Sequence, residues 1–218
     1  VLEDVVDALE GLRIRVLYDS RQALVGLLFG ELLPIFYQKR MRINFIIHSE
    51  HALRKVRIIS NQYDPSLFRD VRMFKVGSNN YVPFGRLTKF IEMKDEELFS
   101  KLIEIFRSFD EEKDVVFLFG FYTIPFFHNN SIQKILDLFE ATPAKLTVIM
   151  PQPIGVFDRS IDIIIGKIFD VDFVIKRIEG EYFEESYTVQ LEQSIVPGLR
   201  FFAKMEISDG KPKWFRSI

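Results

Sequence analysis

Three histidines and two carboxylates are the residues of this chain best placed to do chemistry. His48, His51 and His128 fall at the ends of apolar runs, as do Asp19 and Glu50. Imidazole and carboxylate together would supply nitrogen and oxygen ligands for a metal, or an acid–base pair for hydrolysis. The spacing speaks against the metal. His48 and His51 straddle a strand-to-helix turn, and no H-x-x-x-H or H-E-x-x-H run places two imidazoles on one helix face. No metal and no bound cofactor are therefore expected. No G-x-S-x-G elbow holds a nucleophilic serine, and no G-x-G-x-x-G opens a dinucleotide site. With no cysteine, thiolate ligands, disulfides and cysteine nucleophiles are excluded.

The absence of cysteine fits a reducing compartment, so a cytoplasmic location is expected, and it fits a thermophilic source. Of 218 residues, 48% are hydrophobic and 28% charged, enough to bury a large core beneath a solvated surface. A net charge of −2 provides no field for nucleic acid or an anionic membrane. The short basic clusters Lys39-Arg40 with Arg42, and Arg54-Lys55 with Arg57, read as helix-end and helix-face cations. The 23 phenylalanines against one tryptophan point to a Phe-rich core.

Elements must hold these residues in place. Short runs rich in Val, Ile and Phe read as buried strands: Arg13 to Tyr18, Ile43 to His48, Val71 to Val76, Val115 to Phe119, Lys145 to Met150 and Asp172 to Ile178. Helical patterns lie between them, at Gln22 to Gln38, Glu50 to Ile59, Asp95 to Phe109 and Ser131 to Glu140, and an amphipathic helix opens the chain before Gly11. This alternation predicts a mostly parallel sheet covered on both faces. Tyr187 to Leu191 and Arg200 to Ile207 alternate instead, and predict an antiparallel extension of the same sheet. Gly77 to Gly85 reads as a mobile loop.

Parallel α/β sheets bind ligands beyond the carboxyl ends of their strands. Here those ends carry Asp19, Ser20, Arg21, Glu50, His51, Tyr122, His128 and Gln152, the candidate cleft. Two of these positions carry a resemblance. The run His48 to Leu53 (HSEHAL) is similar to the RecA segment in which a glutamate orients the attacking water. Thr147 to Gln152 (TVIMPQ) is similar to the RecA strand that ends in a phosphate-sensing glutamine. The late antiparallel strands resemble the end of RecA and KaiC domains. The likeness covers about residues 12 to 208, as spacing more than identity, and within the superfamily it is greatest to a small archaeal family of RecA-like proteins of unknown function. It implies a RecA-like three-layer α/β sandwich, as a single domain with a core of about 12–178 and an antiparallel extension of about 179–208.

The departures from that family matter more. A phosphate loop needs G-x-x-x-x-G-K-[ST], so that backbone N–H groups close on the phosphates and the lysine reaches them. The matching stretch, Asp19 to Gly26 (DSRQALVG), has one glycine and no lysine, and Asp19 would place negative charge against phosphate. The strand due to carry a magnesium-binding aspartate reads VVFLFG, with Asp114 at its wrong end. Tight Mg-ATP binding is therefore not expected. The chain is expected to be a non-catalytic binding or assembly module for a protein or peptide partner, or for its own copies. An atypical nucleotide-binding enzyme and a nucleic-acid-associated factor are the alternatives. The apolar helix Ala23 to Tyr37 offers an interface face of Val25, Phe29, Leu33 and Phe36, joined by Tyr81 and Phe84.

Overall fold

The structure, a computed structural model, describes residues 2–94, 96–127, 131–178, 186–208 and 211–216. The chain begins with α1 (Glu3–Leu9), β1 (Arg13–Tyr18), α2 (Arg21–Val25), a π-helical segment (Gly26–Leu32), α3 (Leu33–Gln38), β2 (Arg42–His48) and α4 (Glu50–Ser60). It continues through α5 (Ser66–Arg69), β3 (Arg72–Gly77), β4 (Arg86–Glu92), α6 (Leu98–Arg107), β5 (Asp114–Phe119), a 3-10 turn (Phe121–Thr123), α7 (Ile124–Phe127) and α8 (Ser131–Glu140). It ends with β6 (Thr147–Pro153), α9 (Arg159–Gly166), β7 (Val171–Arg177), β8 (Ser186–Ser194), β9 (Phe202–Ser208) and β10 (Lys211–Arg216).

The strands form one sheet in the order β10-β9-β8-β7-β1-β6-β5-β2-β3-β4. From β7 to β4 neighbours are parallel, and β8, β9 and β10 add antiparallel to the β7 edge. Parallel strands covered on both faces carry unbroken apolar runs. The run Val115 to Phe119 obeys this and is buried throughout. One core lies between the sheet and the helices from α1 to α5, and a second lies beneath α6, α8 and α9. The result is a three-layer α/β sandwich.

Polar groups inside the sheet are paired. Arg15, buried in β1, forms a two-pronged bond to Asp172 at 2.9 and 2.6 Å and a third bond to Asp162 at 2.9 Å, tying α9 to β1 and β7. At the opposite end of the sheet Asp114, fully buried, accepts from Arg42, Arg72 and Asn44 and joins β2, β3 and β5. This accounts for Asp114 at the amino end of its strand as a structural anchor.

The expected interface on Ala23 to Tyr37 is not a surface. Phe29, Leu33 and Phe36 are 2%, 1% and 0% exposed. Phe29 stacks on Phe119 at 5.8 Å and meets Phe68 at 5.7 Å, and Phe36 packs edge-on against Phe117 at 6.4 Å. Phe84 also belongs to this aromatic cluster, 5.6 Å from Phe68, whereas Tyr81 alone is exposed. On its far side the helix is roofed by β9 and β10, whose Ile207 and Pro212 lie against Gly26 and Gly30. The antiparallel strands, not a partner, cover what the sequence left apolar on every side.

Gly77 to Gly85 is likewise anchored more than expected. The buried ammonium of Lys75 donates to Asn79 Oδ1 at 3.0 Å and to the Tyr81 carbonyl at 2.8 Å. Among the described residues, no helix is long and apolar enough to cross a membrane.

Candidate functional site

The strand order opens a space. Helix α2 follows β1 and helix α4 follows β2, but β6 and β5 lie between those two strands. Three inter-strand gaps span roughly 14 Å, whereas packed helices approach to about 8–10 Å. The two helices therefore cannot close on each other, and a cleft of about 470 Å³ remains between them above the strand ends. Its floor includes Tyr18, Ser49, Gly120 and Pro151, at the ends of β1, β2, β5 and within β6. Its walls are apolar: Leu24, Val25, Leu28 and Phe29 on one side, Val56, Ile58 and Ile59 of α4 on the other.

The structure brings Arg21, His51 and Tyr122 into this cleft and sends Asp19, Ser20, Glu50 and Gln152 elsewhere. Asp19 turns to β7, where its Oδ2 accepts from the Arg177 N–H at 3.0 Å. Ser20 caps α2 by accepting from the Ala23 N–H, and donates to the Tyr187 hydroxyl at 3.2 Å. Glu50 faces the loop after β3, accepting from the Ser78 N–H at 3.0 Å with Lys75 Nζ also 3.0 Å away. Partial burial opposes its ionisation, but the bond from Lys75 and those from Ser78 outweigh it and hold its pKa below the ordinary value. Glu50 is thus an anchor for this loop. Gln152 is buried, and its amide donates to Asp162 at 2.8 Å. His128 lies outside the described residues. His48 is a core histidine, its Nδ1 3.2 Å from Thr123 Oγ1, whose own proton goes to the Gly120 carbonyl.

Among the described residues the cleft is lined by cations and by no carboxylate. Arg21 and Lys55 both line it, and no acid is among its lining residues. Burial, then repulsion from Arg21, pushes the Lys55 pKa below its ordinary value. Burial and the neighbouring Tyr122 push Tyr18 up to about 12, against a smaller opposing pull from Arg21. Sequence reading took Lys55 for a helix-face cation and did not place it in the cleft, although helical spacing carried the signal: His51, Lys55, Ile58 and Ile59 recur at three- and four-residue steps on one face of α4.

The floor is also strained. Ser49 sits at φ 93° and ψ 150°, a region that residues with a Cβ rarely enter. It is held there by its N–H to the Val76 carbonyl at 2.9 Å and by its Oγ, which caps α4 at the Ala52 N–H. Across the floor, Gly120 adopts φ 81°, and a Cβ there would lie 2.3 Å from the His48 carbonyl. Strained backbone of this kind gathers at ligand sites.

No sequence-family model matches the chain, and no curated protein sequence does. Solved structures do match. The KaiC-like protein PH0186 of Pyrococcus horikoshii OT3 superposes with a TM-score of 0.63 at 9% identity, over 95% of this chain and 91% of that one. The PH0250 protein of the same organism gives 0.63 at 12% identity, over 89% and 93%. The flagellar accessory protein FlaH of Methanocaldococcus jannaschii gives 0.59 at 12%, over 98% and 96%. The fold is RecA-like, with a mostly parallel central sheet and antiparallel C-terminal strands.

Proposed function

We propose that the chain is a non-catalytic RecA-like binding module whose strand-end cleft holds an apolar ligand instead of nucleotide phosphates. The single observation that carries this reading is the character of the cleft: helical walls of Leu, Val and Ile over a floor that has no acid among the described residues. The connection between β1 and α2 supports it. Only Asp19 and Ser20 separate strand from helix, and Ser20 Oγ takes up the Ala23 N–H as the helix cap, so the connection is too short for a glycine-rich loop to wrap a phosphate. Fold likeness alone decides nothing about activity.

The test pairs two titrations. Calorimetry with Mg-ATP is expected to give no saturable heat in the micromolar range. The neutral dye Nile red is expected to brighten on binding, and the rim substitution Ile58→Trp, which intrudes on the cleft from an exposed position, to weaken that signal with folding unchanged. Micromolar Mg-ATP binding, or dye binding indifferent to Ile58→Trp, would overturn the reading.

A second reading, a protein partner, rests on a different surface. Phe126 is 61% exposed and stacks on Phe157 at 5.9 Å, while Ile163 is 50% exposed on nearby α9. Such apolar groups in water favour an interface. This surface replaces the buried face of α2 and α3 as the candidate for a partner chain.

A further inference from the structure

The cleft carries a charge that no acid among the described residues answers. Arg21 and Lys55 line it together, and neither has a carboxylate partner among the described residues. The nearest acids in sequence are committed elsewhere, Asp19 to the backbone of β7 and Glu50 to Lys75 and Ser78. Two like charges beside an apolar hollow repel each other, and Lys55 is partly buried as well, so the arrangement is costly in the empty protein and favourable with an anion between them.

The walls say what is attached to that anion. They are side chains of helices whose backbone groups bond within the helix, so the cleft offers few backbone partners. An extended peptide laid there would bury its own N–H and C=O groups unbonded, which is unfavourable. An alkyl chain needs no hydrogen bonds and gains from every apolar contact. The volume, about 470 Å³, falls within the range of small-molecule pockets. A carboxylate head, with one charge and two acceptor oxygens, is satisfied by a guanidinium and an ammonium alone, whereas a phosphate brings a third acceptor oxygen and further charge for the same two groups to meet.

We propose that the cleft binds a single-chain amphiphile with a carboxylate head, its alkyl chain between the π-helical segment and α4 and its head at Arg21 and Lys55. This rests on the reading of the cleft as a ligand site. The strained Ser49 in the floor is consistent with backbone held in place for contact with a ligand.

Calorimetry of the full chain with dodecanoate below its micelle concentration is the experiment, with dodecyltrimethylammonium as the same chain bearing the opposite charge. An acetylated acidic Leu-rich peptide represents a partner chain. Dodecanoate is expected to bind one per chain and at least about tenfold tighter than the cationic amphiphile, as charged hydrogen bonds would give. Arg21→Gln with Lys55→Gln is expected to erase that preference while leaving Nile red binding in place, which also shows that the variant folds. Equal binding of the two amphiphiles, or a preference that survives the double substitution, overturns the proposal. So does binding of the peptide alone. In each of these cases Nile red still reports on the cleft, so failure of the carboxylate proposal is distinct from failure of the site.

Discussion

At the scale of single residues, several motif matches proved to be structural. The HSEHAL run was legible as a strand end and a helix start, and both stand where the sequence places them. What local sequence could not show is that Glu50 looks away from the cleft, because its partners Lys75 and Ser78 arrive from another strand. Gln152 is a similar case, since Asp162 reaches it from α9. Ser49 carried no signal, because nothing in its neighbours reveals a positive φ. Its strain makes a sharp prediction. The observed conformation costs a non-glycine residue about 1–3 kcal/mol. Exchanging an N-cap serine for glycine costs only a few tenths of a kcal/mol, and the looser unfolded chain about 0.4–1 kcal/mol. Relief of strain wins, so Ser49→Gly is expected to stabilise the protein by about 1 kcal/mol. Ser49→Ala keeps the strain and loses the cap, and is expected to destabilise by about 1 kcal/mol. Urea unfolding midpoints give the order, and an alanine variant as stable as the glycine variant would show that Ser49 is not strained.

At the scale of elements, the six Val-, Ile- and Phe-rich runs all became strands, because burial on both faces writes itself into sequence as unbroken apolar stretches. The elements missed have softer signatures. Strand β10 reads KPKWFR, and proline and lysine are marks of an edge strand as readily as of a loop. Strand β4 is an edge too, with alternating exposure. Helix α9 reads RSIDIIIG, whose isoleucines favour strands, and its start is set by Asp158 accepting from the Ser160 and Ile161 N–H groups. The π-helical segment has a cause that is visible only in hindsight. Pro34 has no N–H and its ring clashes with the carbonyl four residues back, at Gly30, and the widened turn relieves this, with the Leu33 N–H reaching Leu28. The two glycines of this segment should respond differently to a methyl group. At Gly26 a Cβ would meet the flexible tip of Ile207, whereas at Gly30 it would lie 2.7 Å from the ring of Pro212. In a helix alanine is favoured over glycine by about 1 kcal/mol. Gly26→Ala is expected to keep most of that gain. Gly30→Ala is expected to lose about 1 kcal/mol net, since overpacking costs about 1–3 kcal/mol. Trp214, the sole tryptophan, sits in β10, so its emission should shift to the red for Gly30→Ala and hold for Gly26→Ala. Identical spectra for the two variants would mean that β10 does not rest on Gly30.

At the scale of the whole molecule, strand order shapes the cleft more than any motif does. The cleft exists because β6 and β5 part β1 from β2, and no local pattern encodes that order. The rule that ligands bind beyond the strand ends located the region from sequence, but the walls come from helix faces that only the assembled sheet sets apart. The same assembly inverted the interface expectation. Roofing by β9 and β10 turned the most apolar helix into core, while Phe126 and Ile163 remained in water at an outer rim formed by α7 and α9, apart from the cleft. These two surfaces can be told apart by one charge each. Phe29→Asp places a carboxylate among the rings of Phe45, Phe68 and Phe119. Loss of the ring alone costs about 3–5 kcal/mol and the buried charge adds to it. Against a total stability of about 5–15 kcal/mol, that variant is expected to be unfolded or insoluble. Ile163→Asp changes a half-exposed site on α9, and its stability should stay within about 0.5 kcal/mol of the parent. If the rim is where a second chain docks, the parent should associate in light scattering, and Ile163→Asp should reduce that association with its circular dichroism unchanged. A folded Phe29→Asp would contradict the buried helix. A parent whose association ignores Ile163→Asp would remove the rim as a partner surface and leave the cleft as the working part of the molecule.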